Sequence, residues 1–132
     1  GGRPALLSLL RASDAVSLHC PLDASTRGMI DDEALSAMRP AAFLVNVARG
    51  GIVDRDALTR ALDAGRLGGV GLDVFWEEPW DPHDPLFARD DVVTLPHVGG
   101  ATEEAFDRIA RIAADNIAAI RTGAPLVHRV DG

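Results

Sequence analysis

The sequence is short of cysteine and of basic residues, and each shortage excludes a class of protein. A single cysteine, Cys20, allows no internal disulfide and is consistent with a reducing compartment such as the cytoplasm. Lys and Arg number 13 against 20 Asp and Glu, which gives a net charge of −7. This balance provides no basic patch for a phosphate backbone, so we expect no nucleic-acid partner.

Long apolar runs are also missing. No stretch approaches the ~20 residues that a membrane-spanning helix needs, and no charged-then-apolar leader opens the chain. We therefore expect a cytoplasmic protein with no membrane partner. The 132 residues are 47% hydrophobic and 25% charged, a composition typical of one globular domain with its own core.

Apolar segments with a strand pattern alternate with amphipathic segments along the chain. The predicted strands cover 15–18, 42–47, 69–74 and 92–95. The predicted helices cover 5–12, 33–38, 54–65 and a long segment from Thr102 to about Arg121. This alternation predicts an α/β fold with a parallel sheet of about four strands, helices on its faces and a long C-terminal helix.

Ligands of such sheets bind beyond the carboxyl ends of the strands. Four segments of unusual chemistry follow the predicted strands here: 19–21, 48–51, 73–78 and 96–100. Because the strands are parallel, these segments converge on one edge. The candidates for a single cleft are therefore Arg49, Asp73, Glu78 and His97.

Arg49 stands at the end of an apolar strand and precedes two glycines. Its guanidinium is a fixed fork of donors that suits a carboxylate and polarises an adjacent carbonyl oxygen. Gly50 and Gly51 would allow close approach of backbone and ligand, and would permit positive φ angles. The alternative is an exposed arginine that merely opens a loop.

His97 can give and take a proton near neutral pH, because the ordinary pKa of histidine is ~6.5. Glu78 could hold that imidazole in one tautomer and favour its protonated form. The alternatives are a structural histidine and a solvated loop acid. Asp73 ends an apolar strand, where its carboxylate needs partners, either backbone donors or the amide of a ligand.

The remaining candidates carry weaker signals. His19-Cys20 and His83-Asp84 contain metal-ligand types, but their spacing fits no standard zinc or iron pattern, so we expect no metal. His83 is interpreted as a surface residue, as is His128. The loop from 75 to 90 is long enough to serve a site. Its tryptophans, Trp76 and Trp80, either shape a pocket or pack, and packing is the favoured interpretation.

Four segments together resemble a known family. LHCPLDASTRGMI, LVNVARGGIVDRDAL, GVGLDVFWEEP and VVTLPHVGGAT occur in this order between residues 18 and 102. They resemble the nucleotide-binding domain of the D-isomer-specific 2-hydroxyacid dehydrogenases, which include D-3-phosphoglycerate dehydrogenase and the glyoxylate/hydroxypyruvate reductases. The resemblance runs from about Leu6 to Thr122 and implies a Rossmann-like, doubly wound fold.

The resemblance also implies residue roles. By motif, the catalytic residues are Arg49, Glu78 and His97. The residues at the cofactor are His19, Cys20, Pro21, Val47, Ala48, Arg49, Asp73, His97, Gly99 and Gly100. The implied reaction transfers a hydride between NAD, or alternatively NADP, and a 2-oxo acid or D-2-hydroxy acid, and the complete enzyme is expected to be a homodimer.

One part of the family pattern is missing. No G-x-G-x-x-G turn occurs, and Gly68-Gly69-Val70-Gly71 leads into a strand rather than a helix. We therefore expect residues 1–132 to be the second half of a dinucleotide-binding domain, with 101–132 forming a helix and tail that return towards an absent substrate domain. The alternative is a noncatalytic interaction module or an inactive truncated paralogue.

Overall fold

The computed structural model describes residues 2–129. Gly1 and the last three residues of the predicted C-terminal tail, 130–132, lie outside the described residues. The chain divides into two compact units, one of residues 1–97 and one of residues 98–132. Each unit is described by itself.

The first unit is built on a four-stranded sheet. Its strands are β1 (Ala15–Leu18), β2 (Ala42–Asn46), β3 (Leu67–Leu72) and β4 (Val92–Thr94). The strand order is β1-β2-β3-β4, and every neighbouring pair is parallel. Parallel neighbours require a crossover between strands, which explains why helical segments separate the first three strands.

Three helices accompany this sheet: α1 (Arg3–Ala12), α2 (Asp32–Ala37) and α3 (Arg55–Asp63). Side-chain caps fix where two of them begin. Asp31 accepts a hydrogen bond from the backbone N–H of Ala34 at 3.0 Å, and Asp54 accepts one from Ala57 at 2.8 Å. Each cap satisfies an N–H that has no partner inside its own helix.

The core of the first unit lies between these helices and one face of the sheet. Along β2, Leu44 is fully buried whereas its neighbour Phe43 is 52% exposed. Val93 of β4 is also exposed, at 67%. Alternate residues of a strand point to opposite faces, so the helices of this unit cover one face. The fully buried large aliphatic side chains include Leu10, Ile30, Leu35, Leu44, Ile52, Leu58 and Leu72.

The second unit contains α4 (Glu103–Thr122), which Thr102 caps by accepting a hydrogen bond from Ala105 N at 3.2 Å. The helix ends at Gly123, whose φ of 71° is the left-handed conformation that glycine adopts without strain. Asn116 holds the following segment by donating to Val127 O and accepting from Val127 N. Among the described residues, no helix has the length and apolar character to cross a membrane.

The predicted α/β class, the parallel sheet of four strands and the long C-terminal helix are confirmed. Most element boundaries differ from the predicted ones by one or two residues. β3 begins at Leu67 and ends at Leu72, so Asp73 lies just beyond the strand. Two short 3₁₀ helices, Gly50–Ile52 and Pro85–Ala88, were not predicted, because three or four residues are too few to show a periodic pattern.

Candidate functional site

The four strands end on the same level of the sheet. Leu18 pairs with Asn46, and Asn46 pairs with Leu72. Leu72 in turn pairs with Thr94. The residues that follow are therefore neighbours along one edge, called the carboxyl edge here, in the order His19, Val47, Asp73 and Leu95. Every predicted site residue of the first unit lies on this edge or on the loop that leaves it.

Arg49 lies three residues beyond the end of β2. Its Nη1 donates a hydrogen bond to the carbonyl of Ala48 at 2.6 Å, and the side chain of Asn46 holds both residues. Asn46 Nδ2 donates to Arg49 O at 2.8 Å, and its Oδ1 accepts from Ala48 N at 3.1 Å. The backbone of Ala48 and Arg49 is thus held by the side chain of Asn46, the last residue of β2.

Gly50 is needed for close packing rather than for an unusual backbone angle. Neither Gly50 nor Gly51 has a positive φ, so that part of the expectation is wrong. A Cβ built on Gly50 would lie 2.1 Å from Phe75 O, a distance that atoms cannot adopt. The turn after Arg49 therefore packs directly against the backbone of the loop that carries Glu78.

We expect Gly50→Ala to destabilise the protein more than Gly51→Ala. A methyl group at 50 meets rigid backbone and forces the two segments apart, at a cost of about 1–3 kcal/mol in unfolding free energy. A methyl group at 51 meets the Leu22 side chain at 3.2 Å, which can move. Denaturant unfolding of both variants of the full gene product measures the difference. Equal losses would contradict the close contact between the two segments.

Glu78 and His97 form a hydrogen-bonded pair. Glu78 Oε2 lies 2.8 Å from His97 Nδ1, and Glu78 Oε1 accepts from the N–H of Phe75 at 3.1 Å. An ionised carboxylate only accepts hydrogen bonds, so Nδ1 is the donor. The predicted acid–base pair is therefore in contact, with its members 19 positions apart in the sequence.

The pKa of Glu78 is lowered, chiefly by the hydrogen bond from His97. The Phe75 N–H and the charges of His97 and Arg49 act in the same direction, while burial opposes them. Since the pKa is lower in the folded state, ionised Glu78 stabilises the fold above the ordinary carboxyl range. That contribution is lost as the pH falls through the lowered value, and solvent screens it because both side chains are about 40% exposed.

His97 adopts a left-handed backbone conformation, with φ of 55°. For a residue other than glycine this conformation costs about 1–2 kcal/mol. Such residues cluster at functional sites, where surrounding contacts hold them in place. Here the Glu78 contact and a hydrogen bond from His97 N to Leu95 O hold the residue.

A cavity of about 700 Å³ opens where β1 and β2 end. Its lining residues are His19, Cys20, Pro21, Leu22, Val47, Ala48 and Arg49. All except Leu22 are predicted cofactor residues. The Ser17 hydroxyl lies 2.8 Å from His19 Nε2 and orients that ring. Arg49 both lines this cavity and acts through its charge on Glu78, so it connects the cavity with the Glu78–His97 pair.

Asp73 is 4% exposed and lies beside the end of β2. Its backbone N–H donates to Asn46 O at 3.0 Å. Among the described residues, no fully buried side-chain nitrogen or oxygen lacks a hydrogen-bond partner. The cavity lining does not include Asp73 or His97, so the structure places these two predicted cofactor residues on the same edge but outside that cavity.

The loop that carries Glu78 is packed by aromatic side chains. Trp76 Nε1 donates to Val53 O at 2.7 Å, and Trp80 stacks on Phe75 with 4.3 Å between ring centroids. Phe75 also meets Phe87 edge to face at 5.1 Å. Trp76 and Trp80 therefore pack, as the favoured interpretation has it, and these contacts anchor the loop on both sides of Glu78. Both tryptophans also line a cavity of about 210 Å³, so the alternative that they shape a pocket stays open.

Gly99 and Gly100 belong to the second unit. They lie in a turn before α4, where Ala101 N donates to Val98 O at 2.9 Å and Thr102 N donates to Gly100 O at 3.1 Å. Their predicted role at the cofactor stays a prediction. Within residues 2–129, no cluster of three or more His, Cys, Asp or Glu side chains could hold a metal ion.

Sequence reasoning missed three contributors to this site: Ser17, Asn46 and the backbone of Phe75. Only Asn46 left a signal, because an amide at the end of an apolar strand must find partners when it is buried. The other two depend on which residues the fold brings together.

Comparison with known proteins gives a consistent result. Residues 3–99 match the profile of the family described as D-isomer specific 2-hydroxyacid dehydrogenase, NAD binding domain. Glyoxylate reductase of Thermofilum pendens is 46% identical over 116 residues, which cover 88% of this chain and 34% of that protein. (S)-sulfolactate dehydrogenase of Chromohalobacter salexigens is 47% identical over 112 residues, covering 85% and 36%. The chain spans about a third of the length of these curated relatives.

Solved structures give the same picture. A D-isomer specific 2-hydroxyacid dehydrogenase from Xanthobacter autotrophicus Py2, in complex with NADPH and MES, superposes with a TM-score of 0.85 at 36% identity. The match covers 97% of this chain and 52% of that one. D-lactate dehydrogenase from Aquifex aeolicus, complexed with NAD and lactic acid, gives a TM-score of 0.81 at 34% identity, covering 90% and 40%.

Proposed function

The chain belongs to the D-isomer-specific 2-hydroxyacid dehydrogenase family, and from this premise we propose that it is the catalytic part of an NAD(P)-dependent oxidoreductase. The proposed reaction is reversible hydride transfer between NAD(P)H and a 2-oxo acid, giving a D-2-hydroxy acid. The observation that carries the proposal is the 2.8 Å contact of Glu78 with His97, beside an arginine whose charge acts on the same carboxylate.

The residues of the β1 and β2 ends fit the nicotinamide end of a dinucleotide. They offer a cavity of about 700 Å³ with apolar walls from Pro21 and Val47. Asp73 would hold the carboxamide end. The chain has no glycine-rich turn for the pyrophosphate, so NAD and NADP remain alternatives for the same nicotinamide site. When bound, the reduced dinucleotide supplies the hydride.

Arg49 and His97 would act on the substrate from the carboxyl edge. The guanidinium of Arg49 would bind the carboxylate and polarise the carbonyl of the 2-oxo acid. Because Nδ1 of His97 is bonded to Glu78, the proton would pass from Nε2 to the carbonyl oxygen as the hydride reaches the carbonyl carbon. Glu78 would keep the imidazole oriented, and solvent would then restore the proton.

Steady-state assays of the full gene product test this function. Glyoxylate and hydroxypyruvate are the substrates for reduction, and (S)-sulfolactate is one for oxidation, as the names of the relatives suggest. We expect consumption of NADH or NADPH with at least one 2-oxo acid. No turnover of any of these acids with either cofactor would contradict the proposal.

We further propose that residues 1–132 form the second half of a dinucleotide-binding domain. The support is that the chain spans about a third of its relatives and contains no G-x-G-x-x-G turn. The segment 101–132 would then return towards a substrate domain supplied elsewhere in the enzyme. A homodimer and a cytoplasmic location are proposed for the complete enzyme on the same premise.

Taken alone, the 132-residue chain is expected to bind NADH weakly or not at all and to turn nothing over. The pyrophosphate normally rests on the N-terminus of a helix after the glycine-rich turn, and this chain provides none. The change in tryptophan fluorescence on addition of NADH measures this binding. Reduction of hydroxypyruvate by the purified 132-residue chain at a normal enzymatic rate would refute the prediction.

The alternative, a noncatalytic interaction module or inactive truncated paralogue, is not favoured. The relatives described above are named as reductases or dehydrogenases. A binding module would also have no need for Arg49, Glu78 and His97 together.

A further inference from the structure

Asn46 is a buried polar residue with a geometry that the proposed function does not yet use. It is the last residue of β2, an otherwise apolar strand, and its exposed fraction is 0%. A buried amide lowers stability unless its hydrogen bonds are made inside the protein. The hydrogen-bond partners of the Asn46 amide therefore indicate the role of the residue.

Three hydrogen bonds of Asn46 at this end of the strand go to residues of the candidate site. The side chain donates to Arg49 O at 2.8 Å and accepts from Ala48 N at 3.1 Å. The backbone carbonyl accepts from Asp73 N at 3.0 Å. One residue thus contacts the proposed substrate-binding arginine, a cavity-lining alanine and the proposed carboxamide-binding aspartate.

The sheet itself does not hold the segment after Asn46. The pairing of β2 with both neighbouring strands ends at Asn46, opposite Leu18 and Leu72. Beyond that point the Asn46 amide ties down the backbone of residues 48 and 49. The carbonyl of Ala48 then receives the guanidinium of Arg49 at 2.6 Å. The Asn46 amide is thus connected to the guanidinium of Arg49 through the backbone of residues 48 and 49.

We propose that Asn46 is a positioning residue for Arg49, which sets where the guanidinium meets a 2-oxo acid. This inference rests on the proposed function. Asn46 touches neither substrate nor cofactor in the proposed arrangement, and it acts through the backbone of residues 48 and 49. Loss of its donor would leave β2 paired as before, and the carbonyl of Arg49 would keep only the longer hydrogen bond from Ile52 N at 3.2 Å, so the turn that carries Arg49 would be held less tightly.

The test is a double-mutant cycle in the full gene product. Asn46→Asp keeps the volume and the acceptor for Ala48 N–H, and its ionised carboxylate has no donor for Arg49 O. We expect kcat/KM for the 2-oxo acid to fall about 100-fold, as for a misplaced catalytic group. In an Arg49→Lys background the same change should cost less than about 10-fold, because the positioned fork is already gone.

Two further readouts separate positioning from general damage. The Kd for NADH, measured by tryptophan fluorescence, should rise by a smaller factor than kcat/KM falls, because the contacts of Ala48 N and Asp73 N are kept and only Arg49 of the cavity lining is displaced. The inhibition constant of oxalate, a dicarboxylate that needs the guanidinium, should rise with the loss of kcat/KM. Asn116→Asp is the matched control. The side chain of Asn116, in the other unit, also donates to one backbone carbonyl and accepts from one backbone N–H.

The outcomes are distinguishable. Equal fold losses in the wild-type and Arg49→Lys backgrounds would overturn the positioning role. If Asn46→Asp does not fold, Asn46→Ser is used in the same double-mutant cycle. If neither variant folds, the positioning role is overturned, because Asn46 is then required for folding itself. A wild-type protein without turnover would instead refute the proposed function, which the wild-type assay decides first.

Discussion

Replacing Arg49 by glutamine is expected to lower kcat/KM for a 2-oxo acid by about 100- to 1,000-fold, the usual loss when a donor to a developing oxyanion is removed. Arg49 is exposed at the carboxyl edge, lines the cavity, and acts by charge on Glu78. Glutamine keeps a polar end but loses the charge and the bidentate fork. The measurement is steady-state kinetics of the full gene product.

Arg60→Gln is the matched control for this change. Arg60 is an arginine of α3 that pairs with Asp32 at 2.8 Å, and exposed pairs of this kind contribute little to stability. We expect Arg60→Gln to leave kcat/KM unchanged. If Arg49→Gln were equally silent in an active protein, Arg49 would be the exposed, loop-opening arginine of the alternative interpretation.

Replacing His97 by glutamine is expected to lower kcat by about 10²–10⁴-fold, the range found for loss of a general acid. Glutamine can still occupy a place beside Glu78, but it carries no proton that can be transferred at neutral pH. Glu78→Gln should cost less, because it removes only the carboxylate that accepts from Nδ1 and orients the imidazole. The effect should fall on kcat more than on KM, since Arg49 is intact.

The same loop supplies both controls for this pair. Glu77 is the exposed neighbour of Glu78, and His83 is an exposed histidine a few residues further on. Glu77→Gln and His83→Gln are expected to leave kcat unchanged. Equal effects of Glu77→Gln and Glu78→Gln would mean that the acid matters only through the overall charge of the loop, and the Glu78–His97 contact would then have no role in proton transfer.

Arg49 and the Glu78–His97 pair lie on opposite sides of the contact between the Gly50 turn and the backbone of Phe75. Gly50 follows Arg49 and fits against the carbonyl of Phe75, while the N–H of Phe75 holds Glu78. Arg49 and the acid–base pair are therefore positioned by the same short piece of backbone. This explains why Gly50→Ala should affect both groups, and why the aromatic packing of the 75–90 loop matters for the site.

The sequence by itself determined the local structure and the chemistry available. Asp31, Asp54 and Thr102 cap helices that begin within one residue of the predicted starts, because a cap is an interaction within one turn. The apolar segments predicted the four strands, since burial follows a pattern of near neighbours. The residue types that follow the strands also indicated proton transfer and anion binding before any geometry was known.

Only the tertiary structure decided how these groups are held. Asn46 reaches Asp73 across two paired strands, Gly50 is required by the backbone of Phe75, and Glu78 meets His97 across 19 positions of sequence. Each contact depends on the register and packing of segments that are distant along the chain. Short-range patterns carry no information about such distances, which is why the sequence named the reacting groups and Glu78 but not the parts played by Asn46 and by the backbone of Phe75.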